Sequence, residues 1–209
     1  AERATYHGVR TSHDGRWLLV SASRGTDPRN DLWLADLAAA DLTFVPVHTD
    51  VDARAAAAVH KGSLLIWTDL DAPRGRICTA PVDDPTAWRT LIPENPEAVL
   101  EDFAVIDGAG LLDIDRDAVA VARDLATGVL VTRLALPGAG TVGDVRARPV
   151  GGDELWLAYQ SYDAPQHVLR WQAGTPEVTG YARVPGVAEP PPITTRQVVY
   201  RSPDGTAVH

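Results

Sequence analysis

The chain has no methionine and one cysteine, Cys78, so no internal disulfide can form and the redox compartment stays open. Lys61 is its only lysine, and no basic run interrupts a formal net charge of −9. That excludes a surface that tracks nucleic-acid phosphates. No apolar stretch approaches the roughly 20 residues that a spanning helix needs, so no membrane partner is expected. Helical periodicity is nearly missing as well. DARAAAAVH, beginning at Asp52, is rich enough in alanine to suggest a helix, but it stands where a first strand is due and is assigned as one.

Catalytic and ligand-binding signatures are equally scarce. There is no GxSxG turn to expose a serine nucleophile, and the six serines fall on strands, strand edges or turns. The six histidines form neither HExxH nor an i, i+4 pair, so no metal site is expected. GAGTVG at residues 138–143 follows a proline and leads into a strand, which argues against a dinucleotide loop. Paired carboxylates such as Asp83–Asp84 and Glu101–Asp102 read as solvated charge. Cys78, in mid-strand, reads as a buried inert thiol. No cofactor and no catalytic residue are expected in this chain.

What the chain does have is a period. TDPRNDLWLADL, DLDAPRGRICTAPV and SYDAPQHVLRWQA each place an aspartate ahead of a proline and an apolar strand-like run. Asp27 and Asp71 are 44 residues apart; Asp71 and Asp163 are 92 apart, and the midpoint is another aspartate, Asp117. A fixed period of about 40–50 residues marks a repeat architecture. Each repeat reads as four strands joined by short turns. In the first these are HGVRTS, RWLLVSAS, DLWLADL and TFVPVHT, with a glycine turn at residues 13–15. The units cover residues 6–49, 50–94, 97–137 and 141–184.

Four-stranded antiparallel units at this spacing predict an all-β fold, a β-propeller of about four blades. A β-sandwich is the main rival, and it gives no reason for the aspartates to keep register. The six tryptophans fall on strands at matching places, notably Trp67 and Trp156, and read as core or inter-blade packing. Strands alternate in direction within a blade. Second-to-third-strand loops and the connections between blades therefore share one face. That places residues 26–30, 71–75, the turn at Asp117 and residues 163–166 together. Aspartate and proline suit such loops because Asp bonds the amides ahead of it and Pro presets φ.

Six blocks, in order, carry a family resemblance: HDGRWLLVSASRGTDPRNDLWLADL, TDLDAPRGRI, WRTLIPENPEAVLE, DLATG, LPGAGTVG and VVYRSPDGT. The chain resembles the second half of the β-propeller of the prolyl oligopeptidase family of serine peptidases. The resemblance implies blades four to seven of a seven-bladed propeller over residues 1–193. Residues 194–209 would then be a final strand and hairpin leading toward an α/β-hydrolase domain, which carries the Ser–Asp–His triad and cleaves short peptides after proline. With no methionine, a start at Ala1 and a last hairpin that stops almost where it begins, a segment of a longer protein is expected.

The same resemblance implies that Tyr6, Ser23 and Thr26 line the substrate cavity. In well-known members, the last two positions hold an arginine and a cysteine. Asp27, Arg29, Asp71, Arg74 and Asp163 would then lie on the face toward the hydrolase domain. It also implies a cytoplasmic location and a non-catalytic role, in which the propeller restricts access to short proline-containing peptides. The alternative is a stand-alone or dimeric propeller that binds a protein or ligand. Four blades alone leave apolar surface uncovered at both ends, so self-association of the chain is expected.

Overall fold

In a computed structural model, residues 5–106, 110–115, 120–148, 152–187, 191, 193 and 198–208 are described. The regular elements among them are strands, and they form four sheets of four plus a short hairpin. Blade one holds β1 (Thr5–Thr11), β2 (Trp17–Arg24), β3 (Asp31–Asp36) and β4 (Val45–His48). Blade two holds β5 (Ala55–His60), β6 (Ser63–Thr68), β7 (Arg76–Pro81) and β8 (Arg89–Ile92). Blade three holds β9 (Leu100–Ile106), β10 (Gly110–Asp115), β11 (Ala120–Arg123) and β12 (Leu130–Arg133). Blade four holds β13 (Thr141–Ala147), β14 (Glu154–Ser161), β15 (Ala164–Gln172) and β16 (Val178–Arg183). β17 (Tyr200–Arg201) and β18 (Ala207–Val208) pair as the hairpin. Each four-stranded sheet is antiparallel with its strands in chain order.

The side-chain alternation of strands explains how the blades stack. On β6, Leu64 and Ile66 point toward blade one, where they pack with Leu19, Leu34 and Val47. Leu65 and Trp67 point the other way and pack with Leu100, Phe103 and Leu125 of blade three. A strand covered on both sides needs apolar residues in succession, and LLIW is such a run. A third cluster joins Ala104, Ala120 and Leu134 of blade three to Leu155, Leu157 and Trp171 of blade four. The core is thus three layers between four blades, and the alanine-rich β5 is a strand because its small side chains sit inside the first layer.

Turn chemistry sets the register. Lys61 and Gly62 both take positive φ, at 48° and 78°, between the paired His60 and Ser63. Two left-handed residues in a two-residue loop match the twist of the flanking strands. The loop of blade four is shorter than expected. Ser161 pairs with Ala164, so only Tyr162 and Asp163 turn the chain, and Ala164, Pro165 and Gln166 already belong to β15. A register shift between Tyr159 and Ser161 absorbs the proline, which cannot donate to the ladder.

Two tryptophan assignments also change. Trp88 lies just ahead of β8 rather than on it. Trp67 is next to last in β6, whereas Trp156 is third in β14, so they face the same way but sit at opposite ends of their blades. Four residues ahead of its marker aspartate, blade four has Tyr159, not Trp156.

Candidate functional site

The antiparallel order puts the second-to-third-strand loops and the inter-blade connections on one face, here called upper. The first strands of all four blades line a single axial cavity of about 340 Å³. Arg10 and His13 come from β1 and its turn, His60 from β5, Asp102 from β9 and Arg146 from β13. Asp102 is the acidic group among them. Burial pushes its carboxyl above the ordinary aspartate range. A hydrogen bond from the backbone N–H of Phe103 (2.8 Å), with the charges of Arg146 and Arg10, opposes that shift without cancelling it.

On the upper face of blade one, a cleft of about 300 Å³ is lined by Arg24, Asp27, Arg29, Asp31, Asp50 and Asp52, among others. Its geometry follows from the Asp-Pro turn. Asp27 Oδ1 accepts the backbone N–H of Arg29 at 3.1 Å, and the Arg29 guanidinium folds back on the same carboxylate at 3.0 and 2.7 Å. Arg29 also reaches Asp52 of the connection to blade two at 3.5 Å. Asp50 donates its N–H to Asp31 at 3.0 Å. Both ends of the blade's upper rim are therefore pinned to one another, and the cleft is an ordered, acidic surface. Among the described residues, no group of three or more His, Cys, Asp or Glu could hold a metal ion.

The model of the prolyl oligopeptidase N-terminal β-propeller domain matches residues 1–183. The chain belongs to this family. It is similar to a prolyl endopeptidase of Elizabethkingia meningoseptica, 27% identical over 207 residues that cover 97% of this chain and 29% of that protein. Prolyl oligopeptidase A of Amanita bisporigera is 28% identical over 222 residues, covering 96% of this chain and 28% of its own. Among solved structures, apo prolyl oligopeptidase B from Galerina marginata has the same fold, with a TM-score of 0.81 at 24% identity over 97% of this chain and 30% of that one. The chain spans about 30% of the length of these relatives.

In this propeller segment, Tyr6 and Ser23 are directly opposed across β1 and β2. Tyr6 lies inside β1 rather than ahead of it, and 63% of its surface is exposed at the upper end of the strand. Thr26 follows two residues beyond the end of β2. The three residues therefore share one rim of blade one, beside Asp27 and Arg29. Asp71 and Arg74 lie in the β6–β7 loop, and Asp163 in the β14–β15 turn. Asp71 takes φ 51°, and Arg74 donates its N–H to Glu94 of the following connection at 2.6 Å. Asp117 lies outside the described residues.

Sequence reasoning did not single out Asp31 and Asp50, and it took Asp102 for solvated charge. The first two are acidic residues at strand and connection ends, with no motif to separate them from other surface carboxylates. Asp102 is instead partly buried, and it matters through its placement, which depends on a strand about 40 residues downstream in blade four.

Proposed function

We propose that the chain is the access-restricting part of a propeller that stands over the active site of a prolyl-oligopeptidase-like serine peptidase. One observation carries this reading: the first strands of all four blades converge on one axial cavity. Tyr6 and Ser23, opposed across β1 and β2, and Thr26 lie at the upper rim of blade one. A peptide passing along such an axis meets rigid strand backbone wherever these four blades face it. Selection by width then needs no moving part within the blades. The upper loops, with Asp27, Arg29, Asp71, Arg74 and Asp163, are the surface that meets the hydrolase domain, and the triad belongs to that domain. A relative's structure was solved with a 35mer hydrolysis and macrocyclization substrate, so a test should include peptides of that length.

The experiment uses the full-length polypeptide that contains this chain. It compares kcat/KM for a succinyl-Gly-Pro-aminocoumarin reporter with that for long peptides carrying one internal proline. The expected result is a preference for the short reporter of at least about tenfold, a barrier difference near 1.4 kcal/mol. Tyr6→Ala should shift the ratio without shifting the unfolding midpoint, because Tyr6 is largely exposed. Equal turnover of short and long peptides, with a ratio that Tyr6→Ala leaves unchanged, overturns the reading.

A further inference from the structure

A recess of about 300 Å³ opens beside the axial cavity, between β1 of blade one and β5 of blade two. Side-chain direction explains it. Gly8 is paired with Ser21 and Arg10 with Leu19, so Gly8 and Arg10 share the side of β1 that faces blade two. Across from them β5 reads AAAAVH, and its Ala55 and Ala57 face back toward blade one. Small side chains on both strands leave the space unfilled, and Leu19 and Leu32 give it an apolar floor. Both walls are inner surfaces, between two blades that the chain contains.

The polar groups of the recess are not equivalent. The Asn30 amide is engaged with the backbone of Ala55 at both its oxygen and its nitrogen, at 2.9 Å each. Arg10 stands at the axial end, where it and Leu19 line the recess and the axial cavity alike. Its side chain is exposed, and among the described residues it enters no ion pair, although its charge reaches Asp102 of the same cavity.

We infer that this recess takes the last residue of a peptide, whose apolar side chain enters it while the terminal carboxylate meets Arg10. A guanidinium offers a carboxylate two parallel N–H donors, and the pair is stronger beside apolar surface than in open water. An internal leucine brings no anion, and an aspartate brings an anion with little to fill the recess. A C-terminal leucine brings both. The inference rests on the reading of the axis as a path for peptides. Arg10 lies four residues beyond Tyr6 along β1. At the strand rise that is about 13 Å, so only a peptide reaching about four residues past the rim engages it.

The test titrates the full-length polypeptide that contains this chain into fluorescein-labelled, proline-free octapeptides and reads anisotropy, so no turnover is needed. A peptide ending in leucine with a free carboxylate should bind at least about tenfold tighter than its C-terminal amide. It should bind at least about fivefold tighter than free acids ending in glycine or aspartate. Arg10→Gln should abolish the difference between acid and amide, and Arg10→Lys should restore part of it, both with an unchanged unfolding midpoint. Ala57→Val narrows the recess and should reduce the preference for leucine while the acid still binds better than the amide. Equal binding of acid and amide overturns the proposal, as does an acid preference that Arg10→Gln leaves intact. Equal binding of peptides ending in leucine, glycine and aspartate overturns it too, because Arg10 then attracts any anion. If short and long proline peptides are cleaved equally while the leucine acid still binds through Arg10, access restriction fails and the site stands. If access restriction holds while acid and amide bind alike, this proposal alone falls.

Discussion

The side chain of Asn30 holds the backbone of Ala55 at two points. Its Oδ1 accepts the N–H of Ala55 at 2.9 Å, and its Nδ2 donates to the carbonyl oxygen of the same residue at 2.9 Å. Ala55 opens β5, so a side chain of blade one stands in for a strand partner at the point where blade two begins. Ala55 is itself buried, and water cannot replace either bond at no cost. Asn30→Ala leaves a buried donor and acceptor unpaired and should destabilise the chain by about 1–3 kcal/mol in urea unfolding. Asn30→Asp keeps only the acceptor and should fall between the two. Equal stability of all three proteins would show that the clamp contributes nothing.

Gly128 answers to a neighbouring blade as well as to its own turn. It takes φ +72°, and a Cβ there would fall inside contact distance of the carbonyl oxygen of Leu91, whereas Gly62, at φ +78°, faces open space. Alanine at position 62 meets only the left-handed penalty of roughly 1 kcal/mol. Alanine at position 128 must also displace backbone of β8. Gly128→Ala should therefore lower the thermal midpoint clearly more than Gly62→Ala does. Scanning calorimetry on the two single variants separates them, and equal shifts would show that the turn of blade three can lift away from blade two.

Much of this was legible in the sequence, for a physical reason. A blade buries both faces of its inner strands, so runs such as LLIW and ELWL announce themselves, and glycine or Asp-Pro turns punctuate them at a constant period. The contacts that align one blade with the next were not legible. Asn30 with Ala55, His48 with Trp88 and Trp67 with Leu100 join residues in different repeats. Nothing in the local pattern marks which of several polar residues makes the crossing. The turn at Tyr162 misled because Asp-Ala-Pro reads as loop, and only the register shift beside Ser161 lets that proline stay in a strand.

Gly75 offers a second test of the upper face. It takes φ +86°, and a Cβ there would lie 2.8 Å from Trp67 Nε1, which donates to the carbonyl oxygen of Leu100 at 2.9 Å. Gly75→Ala forces the indole off that bond, which joins β6 to the start of β9. Indole fluorescence should report the change together with a lower urea midpoint. An unaltered spectrum and midpoint would show that the loop carrying Asp71 and Arg74 adapts without moving Trp67.

Asp102 supplies the pH dependence. Its carboxyl titrates above the ordinary aspartate value, chiefly because burial disfavours the charge. The folded state therefore holds this proton to higher pH than the unfolded chain does. The stabilisation linked to that proton is fully present below the unfolded aspartate pKa of about 3.9 and is lost as pH rises through the folded value. The charged carboxylate is the form that the folded protein holds less easily than the unfolded chain does. An asparagine side chain in its place would keep an oxygen to accept the N–H of Phe103 while removing the charge. Asp102→Asn should therefore stabilise the chain at pH 7, and the gain should shrink toward zero as pH falls below about 4. Urea unfolding of both proteins from about pH 3 to pH 8 measures the difference. If the variant is less stable than the parent at pH 7, the pull of Arg10 and Arg146 outweighs burial, and the ionised carboxylate is what holds the inner strands of blades three and four together.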